Sequence, residues 1–167
     1  MAQTMMAKNS VSAKMAECYI RIGDKRYNAM NAVKVEVTFE KSKSEIAILG
    51  RMNKGHKSVG SSITGTAEFH FNTSIWRELA YDFQETGEDV YFDMTISNND
   101  ITASDVGTQT IVLEDCNFDS VILASFDASS DDALIETLDF TAERFYFGNK
   151  QKFNTNGGMV VTTDYNE

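Results

Sequence analysis

The clearest alternation of apolar and polar side chains begins at Val33, where Val33, Val35, Val37 and Phe39 share one face and Lys34, Glu36, Thr38 and Glu40 the other. Side chains on a pleated strand point alternately to opposite faces, so this run predicts a strand with one wet face. Thr64 to Phe71 repeats the pattern, with Ala67, Phe69 and Phe71 opposing Thr66, Glu68 and His70. Upstream, Glu17 to Ile22 and Tyr27 to Ala29 flank Gly23-Asp24 and predict a hairpin, because that pair supplies the backbone freedom of a tight turn. Downstream, Val90, Phe92, Met94 and Ile96 alternate with Asp89, Tyr91, Asp93 and Thr95, and further strands are predicted over Thr108 to Leu113, Asn117 to Leu123 and Leu134 to Phe147. The period changes at one place. Ile75, Trp76, Leu79, Ala80 and Phe83 form a helical stripe, which Ser74 opens as N-cap and Gly87 closes after Thr86.

Seven or eight strands and one helix, with no strand–helix–strand alternation, predict a mainly β fold. Two packed antiparallel sheets would form a small barrel or sandwich with the helix on one side. The chain reads as one domain over residues 1–167, with residues 1–12 a mobile N-terminal arm and 148–167 a C-terminal tail. Ser97 to Gly107 is a polar, turn-rich stretch and Asp127 to Asp132 an acidic loop. Between the two best strands, Lys41 to Ile63 shows no alternation and reads as a loop far longer than the usual two to about five residues of a hairpin connection, which calls for a function. Proline is absent from all 167 residues. Proline is one device that keeps strand edges from pairing, so edges here are expected to be covered by neighbours.

Charge changes this picture more than composition does. Hydrophobic residues make up 42% and charged residues 24%, as in ordinary folding domains. The formal charge is −10, against the clustered lysine and arginine of a duplex-binding protein. It is unevenly spread: residues 1–60 hold 11 Lys and Arg and 5 Asp and Glu, a net of +6, and the rest holds 4 against 20, a net of −16. A basic and an acidic half on one chain suit head-to-tail self-association, which joins two different surfaces of identical subunits.

Candidate chemistry is sparse. Cys18 and Cys116 stand far apart without a paired-cysteine motif, with only His56 and His70 as possible co-ligands, so no metal site or cofactor is expected and both thiols read as buried hydrophobes. No activated nucleophile stands beside a base, so no catalytic residue is assigned. Gly50 to Ser58 superficially resembles a phosphate-binding loop, but His56 separates Gly55 from Lys57 and no helix follows to receive a phosphate. Without interleaved aromatics it is no stacking platform for single strands either. No run approaches the roughly 18 apolar residues of a membrane span, and Met1 to Val11 does not read as a secretion signal, so no membrane anchor is expected.

Lys43-Ser44-Glu45, Gly50-Arg51, Gly55-His56-Lys57, Gly60 and Gly65-Thr66 lie together within Lys43 to His70. In those residues and their spacing the segment resembles the tail tube family of Gram-positive contractile phages and of phage-like particles such as PBSX and the diffocins. A second block, Leu113 to Phe145, with Asn117-Phe118-Asp119-Ser120 and Ala124-Ser125, is similar to the family's later strands, so the resemblance spans roughly Val11 to Phe147. It implies homohexameric rings whose sheets join into an inner barrel, stacked head to tail inside a contractile sheath. The implied partners are the sheath, tape-measure, baseplate tube initiator and tail terminator proteins, with DNA passing the channel unbound in a phage. The implied location is the tail of a virion or bacteriocin particle, assembled in the bacterial cytoplasm. On that frame Lys43, Glu45, Gly50, Arg51, Lys54, Gly55, His56, Lys57 and Gly60 become the inter-ring loop. Glu36, Glu40 and Glu68, on the polar faces of the two best strands, become the channel lining, where negative charge lets DNA slide. The alternatives are a tube initiator, a terminator or a secretion-system tube subunit, and outside this class a monomeric β-barrel binding a small ligand.

Overall fold

The computed structural model describes residues 5–155 and 157. Its eight strands are β1 (Ala16–Ile22), β2 (Lys25–Asn28), β3 (Ala32–Ile46), β4 (Gly55–His70), β5 (Phe92–Asn99), β6 (Thr108–Ser120), β7 (Ile135–Ala142) and β8 (Arg144–Phe147), with one helix, α1 (Ile75–Thr86). All pairings are antiparallel, in the order β2-β1-β5-β6-β7-β4-β3 with β8 alongside β6. The mainly β architecture with one helix is the one the periodicity predicts.

The sheet turns a corner in the middle of β6. Residues up to Cys116 pair with β5, and Ile111 to Glu114 also with β8, whereas Asn117, Phe118 and Ser120 pair with β7. At the corner Asp115 has φ of 53°, a left-handed conformation that Asp tolerates, and its N–H donates to Asp93 Oδ1 at 3.2 Å. Directly across, the Glu143 N–H donates to the Glu114 carbonyl at 3.2 Å. The extra residue reverses which parity faces inward: Ile111 and Leu113 before it, Cys116 and Phe118 after it. Hence the two strands expected at Thr108 to Leu113 and Asn117 to Leu123 are one bent strand, while the single run Leu134 to Phe147 divides into β7 and β8.

Folded at this corner, the halves share one core. Phe69, Phe92, Phe140, Met94, Leu113, Leu138 and Cys116 are its most deeply buried side chains. Each large apolar side chain so buried contributes about 1.5–3 kcal/mol. Trp76 of α1 closes it, with its ring centroid 5.9 Å from Phe69 and 5.2 Å from Phe92. Gly65 of β4 is required by this packing, since a Cβ there would stand 2.4 Å from Cζ of Phe140. Only the first part of the helical stripe is core: Trp76 is buried and Leu79 packs against the buried cluster, whereas Phe83 is exposed. Ser74 makes no side-chain cap bond, whereas Gly87, at φ of 72°, ends the helix as expected.

Described residues of the N-terminal arm are attached rather than free. The Ser12 N–H donates to Asp100 Oδ2 at 2.7 Å, and Lys8 lies 3.1 Å from Asp105. Of the tail 148–167, residues 156 and 158–167 lie outside the described residues. Its start folds back on β6 and the residues just before it, where the Thr110 N–H donates to the Gln151 carbonyl and the Asn154 N–H to that of Val106.

Candidate functional site

Lys41 to Ile63 is not a loop. β3 and β4 are 15 and 16 residues long, stay paired from Ala32↔Phe69 to Ile46↔Gly55, and leave only residues 47–54 as a turn. Alternation is lost in the sequence because the outer part of this hairpin runs past the core, so both of its faces meet water and neither needs to be apolar. A bulge at Ser42/Lys43 adds a further break in phase.

The hairpin tip combines charge with exposed apolar side chains. Gly50 (φ 82°) occupies the third position of a turn closed by the Arg51 N–H donating to the Ile48 carbonyl at 3.2 Å. Gly55 leaves room for Ile48, whose Cδ1 lies 3.3 Å from the place of a Cβ. Lys54 Nζ stands 3.1 Å and His56 Nε2 3.8 Å from the Glu45 carboxylate, so Glu45 gathers two of the expected stacking residues across the strands. Lys43, Arg51 and Lys57 make no ion pair among the described residues. Gly60 sits beside the bulge, opposite Ser42. Leu49 and Met52 at the crest are fully exposed, an apolar feature that reading by charge alone overlooks.

The second feature is the polar face of the half made by β3, β4, β7 and the end of β6. An open groove of about 480 Å³ there is lined by Lys34, Glu36, Thr38, Thr64, Thr66, Glu68, Asp119 and Asp139. Glu40 continues the same face of β3, one alternation beyond Thr38. The expected channel residues Glu36, Glu40 and Glu68 thus share a face with two more carboxylates, Asp119 and Asp139, against one cation, Lys34, 3.8 Å from Glu36. Thr66 donates its hydroxyl to Asp139 at 3.0 Å. The signal for Asp139 was available, since Thr137, Asp139 and Thr141 alternate with Leu138, Phe140 and Ala142.

The apolar side of β3 is incompletely covered. Val35, Val37, Phe39 and Ile63 face Ile96, Ile111 and Phe145 across an open cleft of about 280 Å³. The outer edge of β3 carries no strand partner among the described residues.

Desolvation raises the thiols of Cys18 and Cys116 to about 11 and about 12, which leaves them inert. Among the described residues no three His, Cys, Asp or Glu side chains converge as metal ligands, and no helix is long and apolar enough to cross a membrane.

A family model described as "Phage tail tube protein" matches residues 3–147. The chain is 38% identical over 142 residues to the phage-like element PBSX protein XkdM of Bacillus subtilis (strain 168), covering 84% of this chain and 92% of that protein. Over the same length and coverage it is 37% identical to YqbM, an uncharacterised protein of that strain. Its fold is similar to that of a chain in the sheath–tube complex of the extracellular contractile injection system PVC, in the extended state. There the TM-score is 0.62 at 16% identity, covering 83% of this chain and 91% of that one. A chain of the six-fold symmetrised anti-feeding prophage baseplate gives 0.61 at 13% identity, covering 85% and 97%. With the family match spanning nearly the whole described chain and a relative near 40% identity over most of both lengths, the chain belongs to the phage tail tube protein family.

Proposed function

We propose that this chain is the repeating subunit of a hollow tail tube, in which six copies close into a ring and rings stack head to tail. The observation that carries the reading is the four-stranded half β3-β4-β7-β6, acidic on one face, apolar on the other and open at the β3 edge. Joining β3 of one copy to the edge of β6 in the next that Asn117 to Ser120 leave unpaired among the described residues would satisfy backbone groups otherwise open to water and cover the cleft beside Phe39 and Phe145. Six such halves make 24 strands, which at about 4.8 Å spacing give a barrel backbone roughly 37 Å across before strand tilt widens it. The acidic face, with Glu36, Glu40, Glu68, Asp119 and Asp139, then lines the channel. Duplex DNA carries one negative charge per about 1.7 Å, so this wall repels it and lets it slide instead of holding it by phosphate contacts.

The hairpin tip, with Lys43, Glu45, Gly50, Arg51, Lys54, Gly55, His56, Lys57 and Gly60, projects along the tube axis as the inter-ring contact. A contractile sheath would surround the tube, with tape-measure, initiator and terminator proteins meeting its interior and ends, in the tail of a virion or of a genome-free bacteriocin particle put together in the bacterial cytoplasm. The test is negative-stain microscopy of purified protein. Rings or filaments of uniform diameter are expected, whereas monomers that persist at high concentration and after seeding with tube fragments refute the proposal.

A further inference from the structure

The hairpin tip has a counterpart at the other end of the molecule. β4 runs from Gly55 at the tip to His70, on the order of 50 Å along the strand. His70 pairs with Ile135, the first residue of β7, and the Phe71 N–H donates to the Leu134 carbonyl. The segment 121–134, which leads into β7, therefore leaves the sheet at the end opposite the tip. Arg77 fixes its beginning by donating to the Ile122 carbonyl at 3.0 Å.

The two ends are complementary in charge and in apolarity. Residues 43–57 hold Lys43, Arg51, Lys54 and Lys57 against Glu45, a net of +3, whereas 121–134 hold Asp127, Asp131 and Asp132 with no Lys or Arg, a net of −3. Asp127 is occupied within its own loop, accepting from the Ser129 N–H at 3.0 Å and hydroxyl at 2.6 Å. Asp131 and Asp132 are exposed and make no ion pair among the described residues. In the same loop Phe126 is 88% and Leu123 70% exposed, while the tip presents Leu49 and Met52 fully exposed. Each end thus exposes two large apolar side chains bordered by charge, positive at the tip and negative on the segment, the apolar centre and charged rim of a protein interface.

Resting on the stacking role proposed above, we infer that the segment 121–134 is the acceptor for the hairpin tip of a second copy in the adjacent ring. Leu49 and Met52 pack against Leu123 and Phe126, while Arg51 and Lys57 meet Asp131 and Asp132. Because donor and acceptor sit at opposite ends of one chain, the contact repeats without limit along an axis, as a heterologous interface does.

Two charge-reversed full-length variants test this, R51E/K57E and D131K/D132K, with circular dichroism to verify folding. All four positions are exposed and make no ion pair among the described residues, so both variants should fold. Neither alone should form filaments at about ten times the concentration that suffices for the wild type, because each sets like charges against each other. Mixed in equal amounts they should co-assemble, since the acidic tip of one finds the basic loop of the other. Should D131K/D132K polymerise like the wild type while R51E/K57E does not, the tip stacks elsewhere and the acceptor assignment falls, with the stacking proposal intact. Failure of the mixture to assemble, with both variants folded, also overturns the pairing. Absence of filaments from wild-type protein itself overturns the tube proposal and this inference with it.

Discussion

Replacing Arg77 tests the joint that seats both the helix and the segment 121–134 on the sheet. Its guanidinium lies 2.8 Å from Glu136 Oε2, donates to the carbonyls of Ile122 and Thr73, and stacks 4.2 Å above the Phe71 ring. The Glu136 side chain is 3% exposed and that of Arg77 18%, and Glu136 Oε1 has no hydrogen-bond partner among the described residues. Removing one partner of such a pair leaves a buried carboxylate uncompensated, at a cost of about 3–5 kcal/mol. For a chain of this length that lowers the melting temperature by roughly 6–20 °C. Arg77→Met keeps most of the stem volume over Phe71, so the loss reads on charge and hydrogen bonds. Chemical and thermal denaturation of unassembled protein measure it. The double variant Arg77→Met with Glu136→Leu should recover most of the loss, because a well-packed apolar pair replaces a buried ion pair at little net cost. A single variant within about 1 kcal/mol of the wild type, or a double no better than the single, refutes the reasoning.

Three further outcomes follow from the fold. Gly65→Ala drives a Cβ into the Phe140 ring and should cost about 1–3 kcal/mol in urea denaturation, with Phe140→Leu in the same chain recovering part of it. Asp100, hydrogen-bonded by the Thr102 hydroxyl and N–H and by the Ser12 N–H, has its carboxyl held below the usual 3.8, so the stability it lends is complete above that value and lost as pH falls through its lower folded value. The difference in urea midpoint between wild type and Asp100→Asn should therefore shrink as pH drops from 6 to about 2.5, and a constant difference contradicts this linkage. With both thiols raised by burial, Cys18 and Cys116 should react with a thiol reagent at pH 8 only after denaturant is added; rapid reaction of either in folded protein counts against the core as described.

Local signals in the sequence reported local structure well. The Gly23-Asp24 hairpin, the helix ended by Gly87 and the alternation of β3, β4 and β5 are each set by neighbours within a few residues. Where sequence reading failed, the cause was geometry beyond the segment. Asp115 and Glu143 face each other at one corner, and each shifts the phase of its own strand, so one bent strand reads as two and two strands read as one. Lys41 to Ile63 reads as a loop because a strand outside the core has no dry face to betray it. Of the charged face, Glu36, Glu40 and Glu68 could be read from alternation, whereas their meeting with Asp119 and Asp139 depends on the pairing of β4 with β7 and of β7 with β6. The apolar crest at Leu49 and Met52 was in plain view but ambiguous, since exposure is not visible in a sequence.

Charge reverses sign along the single hairpin β3–β4. Glu36, Glu40 and Glu68 lie toward its base, and Lys41, Lys43, Arg51, Lys54 and Lys57 toward its tip. Such a hairpin faces a problem of specificity, because a basic tip is attracted to the acidic groove face of another copy as well as to the acidic segment 121–134. Charge alone does not separate these two docking modes. The apolar crest does, since the acidic face offers threonines and carboxylates around its groove while the segment offers Leu123 and Phe126. Burying Leu49 and Met52 against Thr64, Thr66 and Asp139 would strip water from polar groups without compensation, which penalises the wrong mode. Electrostatics then speed the encounter and the apolar contact selects its register. Raising salt should accordingly slow filament growth, because a Debye length near 3 Å at 1 M screens the exposed charges, while filaments already formed persist. Tip variants that keep every charge but replace Leu49 and Met52 by serine should show the converse, encounters at the normal rate and filaments that fall apart.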